Sequence, residues 1–144
     1  MSRRRPVLAT ALTAAASLAA LSVLPASAQE SGPRPAGDHL TVTVSHAGGG
    51  ADGTRELYCH PARGSHTDPR GACDALDKLT RWGKDPFAPV PADSMCTMQY
   101  GGPATAQVKG VWAGRPVDAR YSRTNGCEID RWKNLTPVLP DPKG

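Results

Sequence analysis

Aromatic side chains are scarce in this chain of 144 residues, which has one phenylalanine, three tryptophans and three tyrosines. A large core is therefore excluded, and whatever core forms must be modest. Several signatures of chemistry are also missing. The four cysteines, Cys59, Cys73, Cys96 and Cys127, include no Cys-x2-4-Cys pair of a structural zinc site and no Cys-x-x-Cys redox pair. There is no Gly-x-Ser-x-Gly elbow, no His-Glu-x-x-His and no phosphate-binding glycine loop. Neither an enzyme nor a metal or cofactor binder is expected.

Long apolar runs are limited to one, Val7 to Leu24, preceded by Arg3-Arg4-Arg5 and followed by Ala26-Ser27-Ala28. A basic start, a small-residue apolar stretch and an A-x-A site together read as a secretory signal peptide over 1–28. No second run is long enough to span a bilayer, so no membrane partner is expected. Removing the signal leaves fourteen basic residues against thirteen acidic ones. That near-neutral balance argues against nucleic acid as a partner. The remaining length is one small domain, with 29–38 as a Pro/Gly-rich arm and 39–144 as the folded part.

Export favours disulfides over free thiols. Four cysteines allow three connectivities. Sequential pairing is favoured: Cys59 and Cys73 bracket a loop rich in Pro, Gly and Arg, and Cys96 and Cys127 flank the most strand-like region. Each bridge would stabilise by about 3 kcal/mol in the chain-entropy account.

Alternation predicts strands at Leu40–Val44 and Thr54–Cys59, joined through a glycine-rich turn. A constrained loop is expected from Pro61 to Gly71. Helical spacing of Ala72, Ala75, Leu76 and Leu79 predicts a helix from Ala72 to about Trp82, with Gly83 placed to end it. Pro86, Pro89 and Pro91 forbid regular structure next. Two further strands, Thr105–Trp112 and Pro116–Tyr121, surround an Ala113-Gly114-Arg115 turn. Val108, Val117, Ala119 and Tyr121 are core candidates, with either Val111 or Trp112 facing inward. Beyond Cys127 lies a Pro-rich tail containing Leu135, Val138 and Leu139. His60 and His66 are spaced to allow a metal site but read better as ordinary loop residues. Asp74 and Asp77 share a helix face that solvent explains.

One segment does not fit a solvated loop. Asp93 to Gly102, "DSMCTMQYGG", collects two of the three methionines, a cysteine and a tyrosine between prolines and glycines. An extended loop held by a disulfide can enter a protease cleft as a substrate does, adding a strand while alternate side chains fill pockets. Prior rigidity removes the ordering cost a free peptide would meet, and an unbranched methionine suits a deep, forgiving pocket.

The chain resembles the Streptomyces subtilisin inhibitor-like family of secreted serine protease inhibitors. The carriers are "LYCHP", "GACDAL", "MCTMQY", "VKGVWAGRPV" and "RTNGCE", with the cysteine order and spacing. The resemblance implies an α+β fold, a five-stranded antiparallel sheet with two short helices, and bridges Cys59–Cys73 and Cys96–Cys127. It implies a scissile bond between Met98 and Gln99, with Met98 entering the primary pocket of a subtilisin-like protease. Met95 would fill the apolar pocket three positions upstream, and Cys96, Thr97, Tyr100 and Gly101 would line the contact. It also implies a homodimer formed by sheet packing.

Three features depart from the family's pattern. Thr97 stands where proline is frequent, and Gln99 where a small aliphatic residue is commoner. Gly101-Gly102-Pro103 is expected to loosen the downstream side. The alternative is a secreted binding module of the same fold that does not inhibit, or a substrate of a crosslinking enzyme through Gln99, Gln107, Lys109 or Lys133.

Overall fold

The computed structural model describes residues 37–81 and 84–142. The expected signal segment, nearly all of the expected arm, and Trp82 and Gly83 lie outside the described residues. Five strands and two helices follow in the order β1 (Asp38–Ser45), β2 (Gly53–Cys59), β3 (Arg63–Gly64), α1 (Pro69–Thr80), β4 (Thr105–Trp112), β5 (Arg115–Tyr121) and α2 (Gly126–Asn134). The strands form one antiparallel sheet in the order β3-β2-β1-β4-β5. β1 begins at Asp38, two residues before the expected start at Leu40 and inside the span read as arm.

β1 is central because its alternation is the cleanest. Leu40 is paired with Leu57 on one side and with Gly110 on the other. The period of two then sends Leu40, Val42 and Val44 to one face with Leu57, Ala106, Val108, Ala119 and Tyr121. The same register settles the inward residue at the end of β4: Trp112 is buried, and Val111 is 46% exposed.

Helix α1 starts at Pro69, not Ala72. Asp68 caps it, its carboxylate accepting the Gly71 amide at 2.9 Å, and proline occupies the first turn where its missing N–H costs nothing. The expected loop from Pro61 to Gly71 therefore contains both β3 and a helix start. Ala72, Cys73 and Leu76 face the sheet. At the other end the Thr80 hydroxyl accepts from the Trp112 indole at 2.8 Å.

Helix α2 is capped by Asn125, whose side chain accepts the Glu128 amide at 3.0 Å. Ile129 and Trp132, three apart on one face, are buried. The tail then turns back under the helix. Leu135, Val138 and Leu139 are fully enclosed, and the Trp132 indole donates to the Pro140 carbonyl at 2.8 Å.

The two disulfides are Cys59–Cys73 and Cys96–Cys127. The first joins the end of β2 to α1. The second joins α2 to a long irregular segment that crosses from α1 to β4.

Candidate functional site

That irregular segment, 84–104, is anchored before it becomes exposed. Phe87 is buried. Arg131 of α2 donates from Nε to the Ala88 carbonyl at 2.8 Å and from Nη2 to the Phe87 carbonyl at 3.2 Å. Its guanidinium also stacks over the Tyr121 ring, 3.9 Å from the centroid. One arginine thus ties the approach to the sheet and to α2.

The continuously exposed part begins at Pro91. Met95 is 98% exposed and Met98 93% exposed, while Tyr100 is 66% exposed. Apolar side chains of this size are normally covered, so three in one short stretch form a surface that awaits a partner. Cys96 lies between the methionines, its Cα 5.3 Å from that of Cys127 in the first turn of α2.

Backbone hydrogen bonds complete the support on both sides. Upstream, the Gly126 amide donates to the Thr97 carbonyl at 3.0 Å. Downstream, the Gly101 amide donates to the Arg123 carbonyl at 2.7 Å, and Arg123 Nε donates back to the Gly101 carbonyl at 2.8 Å. All three partners lie within 123–127. Among the described residues, no hydrogen bond holds Met98, Gln99 or Tyr100 to the framework. The result is an arch gripped at Thr97 and Gly101, with free main-chain groups between the grips. Such groups can pair with the edge of another protein's strand.

Two glycines are required by close approach. A Cβ on Gly126 would collide with the Thr97 hydroxyl, and one on Gly101 would come within 2.7 Å of the Ile129 side chain. Gly101 is therefore a packing position, bonded through both its N–H and its C=O. The expected looseness of the downstream side does not hold at this residue. Gly102, at φ +101°, is where the chain turns away toward β4.

The other candidates are structural. His66 is buried and uses both ring nitrogens: Nε2 donates to the Val138 carbonyl at 3.0 Å, and Nδ1 accepts the Asp68 amide at 3.1 Å. His60 bridges Asp38 and Asp77, each at 3.1 Å, and its pKa is raised chiefly by the hydrogen bond to Asp77. Asp77 is thus committed to His60, while Asp74 is exposed. Among the described residues, no group of three or more His, Cys, Asp or Glu could hold a metal ion. No helix among them is long and apolar enough to cross a membrane. Sequence reasoning missed Arg123 as a support of the loop: it opens the "RTNGCE" stretch, but its bonds to Gly101 join positions 22 apart in the chain, which no local pattern shows.

Fold and loop together define a class: a small disulfide-stabilised α+β domain that offers a tethered, solvent-exposed segment. The chain belongs to the subtilisin inhibitor-like family, whose model matches residues 34–125 and so includes the whole arch. Among curated proteins it is similar to kexstatin-1 of Streptomyces platensis, 32% identical over 116 residues, covering 77% of this chain and 79% of that one. It is also similar to subtilisin inhibitor-like protein 1 of Streptomyces cacaoi, 38% identical over 80 residues, covering 52% of this chain and 68% of that one. Among solved structures it is similar to Streptomyces caespitosus sermetstatin in complex with Bacillus licheniformis subtilisin, at 28% identity and a TM-score of 0.40, covering 73% of this chain and 94% of that one.

Proposed function

We propose that this protein is a secreted inhibitor of subtilisin-like serine proteases that acts as a ligand, with Met98–Gln99 as the bond presented for cleavage. The observation that carries this reading is the exposure of Met98 at the centre of an arch gripped on both sides. Met98 enters the primary pocket and Met95 the apolar pocket three positions upstream. Cys96 and Thr97 supply main chain between them, and Gln99, Tyr100 and Gly101 lie on the leaving side.

The mechanism follows from the grips. The protease serine attacks the Met98 carbonyl carbon, the bond to the Gln99 nitrogen breaks, and that nitrogen takes a proton from the protease histidine. A free peptide would then lose its amine half to solvent. Here Gly101 stays bonded to Arg123, and Cys96 stays bonded to Cys127. Both halves hang from 123–127, so the Gln99 amine remains beside the ester and can re-form the bond. Holding the arch in shape beforehand also lowers the cost of binding.

The protein also forms a homodimer in this reading. The helices and tail cover one face of the sheet. The other face carries Thr41, Thr43, Gln107, Lys109 and the half-exposed Val111 beside a Tyr58 ring that stacks on His39 and lies under the Arg63 guanidinium. Sedimentation equilibrium of the protein should give twice the chain mass, and a monomer at micromolar concentration contradicts this part.

Titration of subtilisin with the protein tests the inhibitory reading. Residual hydrolysis of a chromogenic peptide should fall linearly to zero at one inhibitor chain per enzyme. Undiminished activity at a several-fold excess of inhibitor would sink it.

A further inference from the structure

We propose that Arg123 is a positioning residue that decides whether the cleaved arch is resealed or hydrolysed; this rests on the inhibitory reading above. Three observations converge on the residue. Its carbonyl accepts the Gly101 amide at 2.7 Å and its Nε donates to the Gly101 carbonyl at 2.8 Å, so one residue holds both polar groups of one peptide position. Its Cβ stands where a side chain on Gly101 would meet it at 3.1 Å, which fixes the distance between the two chains. Its guanidinium lies 5.8 Å from the centre of the Trp132 ring, and Trp132 is fully buried. The head group is therefore anchored on α2 while its Nε reaches the arch. Nη1 is buried and has no protein partner, so the head group is held there by this geometry at the cost of one unmade bond.

The two grips on the arch differ in kind. Upstream of the scissile bond the Cys96–Cys127 bridge is covalent and survives cleavage. Downstream, the first anchor after Gln99 and Tyr100 is the pair of hydrogen bonds to Arg123. Once the Met98–Gln99 bond opens, the position of the new amine depends on that pair and on the contact with Ile129. If the amine drifts, water attacks the Met98 ester in its place: the ester C–O bond breaks, the serine takes a proton, and Met98 leaves as a carboxylic acid. Arg123 thus acts after bond cleavage, on the partition between amine and water, and leaves initial docking to Met95 and Met98.

The experiment compares wild type, Arg123→Ala, Arg123→Lys and Asp68→Ala in two assays. The first incubates each with subtilisin and follows both association and the appearance of cleaved inhibitor. Asp68→Ala is the control for general destabilisation, because Asp68 caps α1 through the Gly71 amide and bonds nothing in 84–104 or 123–127. Arg123→Ala should be cleaved roughly tenfold or more faster than wild type, with association unchanged within about threefold. Arg123→Lys, which keeps a donor, should recover part of the loss, and Asp68→Ala should be cleaved at the wild-type rate. Equal cleavage of Arg123→Ala and wild type overturns the proposal, as does equal acceleration by Asp68→Ala. The second assay needs no protease. Alanine keeps the backbone carbonyl that accepts the Gly101 amide and removes the Nε bond to the Gly101 carbonyl. With that second bond gone the contact should open more often, and hydrogen exchange at the Gly101 amide should be roughly tenfold faster than in wild type. An unchanged rate overturns the side-chain half of the clamp, and with it the proposal. A wild type that fails to inhibit while its Gly101 amide still depends on Arg123 would instead overturn the inhibitory reading, and with it the role in resealing.

Discussion

Gly126 donates its amide to the Thr97 carbonyl at 3.0 Å, so closely that a methyl group on Gly126 would strike the Thr97 hydroxyl. Gly126 is not among the residues with positive φ, so its backbone would accept alanine. A side chain there would be opposed by the Thr97 hydroxyl, which must move to admit it. Gly126→Ala should therefore displace the arch with little effect on the fold, weakening subtilisin inhibition by about tenfold or more. Thr97→Ala removes the colliding oxygen, and the double variant should recover much of the loss. A double variant as weak as Gly126→Ala would show that some other contact is at fault.

Met98→Lys tests the pocket assignment. A charged head group is costly to bury in an apolar pocket. Inhibition of subtilisin should fall by roughly a hundredfold, and inhibition of trypsin should appear. The melting temperature should not change, because Met98 is 93% exposed and contributes nothing to the core. Unaltered preference between the two enzymes would remove Met98 from its assigned role.

The Cys96–Cys127 bridge supports the arch from below. Replacing both cysteines by serine should cost about 2–4 kcal/mol of stability. The remaining bridge and the buried core should keep the domain folded at room temperature. The arch, however, should become an ordinary substrate, cut by subtilisin within minutes and not held. Retained inhibition in the double serine variant would show that the hydrogen bonds suffice.

His60 makes stability depend on pH. Its pKa is raised above 6.5 chiefly by the hydrogen bond to Asp77; burial opposes this, and the charge of Asp77 and the hydrogen bond and charge of Asp38 add to the rise. A raised folded-state pKa means that the stabilising contribution is complete below 6.5 and fades as pH rises through the folded value. The side chain is 53% exposed, so solvent screening keeps the effect small. His60 has φ 59°, a conformation asparagine also tolerates. The difference in melting temperature between wild type and His60→Asn should be larger at about pH 5.5 than at about pH 8.5. An equal difference at both values would contradict the assignment.

Much of this arrangement was legible from the residues, and the parts that were not share physical causes. Leu40, Val42 and Val44 alternate so regularly that the central strand could be read directly, and Asp38 was missed only because glycines and prolines precede it. The choice between Val111 and Trp112 needed the partner strand, since alternation alone leaves a one-residue ambiguity. Helix α1 was read three residues short because Pro69 and Gly71 look like breakers. Asp68 followed by Pro69 is in fact a start signal. Apolar periodicity did not reveal α2, although Asn125 with Glu128 three positions on is a capping pattern and Ile129 and Trp132 share a face. β3, with two residues, has no sequence signal at all. Composition left burial and exposure of Met95 and Met98 evenly balanced; their proline and glycine surroundings favoured exposure, and the family resemblance decided for it. The grip at Gly101 did not, because it depends on Arg123 and Ile129 meeting the loop from elsewhere in the fold.

The central claim is that the arch offers Met98–Gln99 to a protease, and the cleaved inhibitor tests it most directly. The protein should be held with subtilisin until slow hydrolysis accumulates, then reduced, separated and sequenced from its new amino terminus. The predicted result is one cleavage, with the second fragment beginning at Gln99. A fragment beginning at any other residue, or digestion at many sites without a stable complex, would contradict the account.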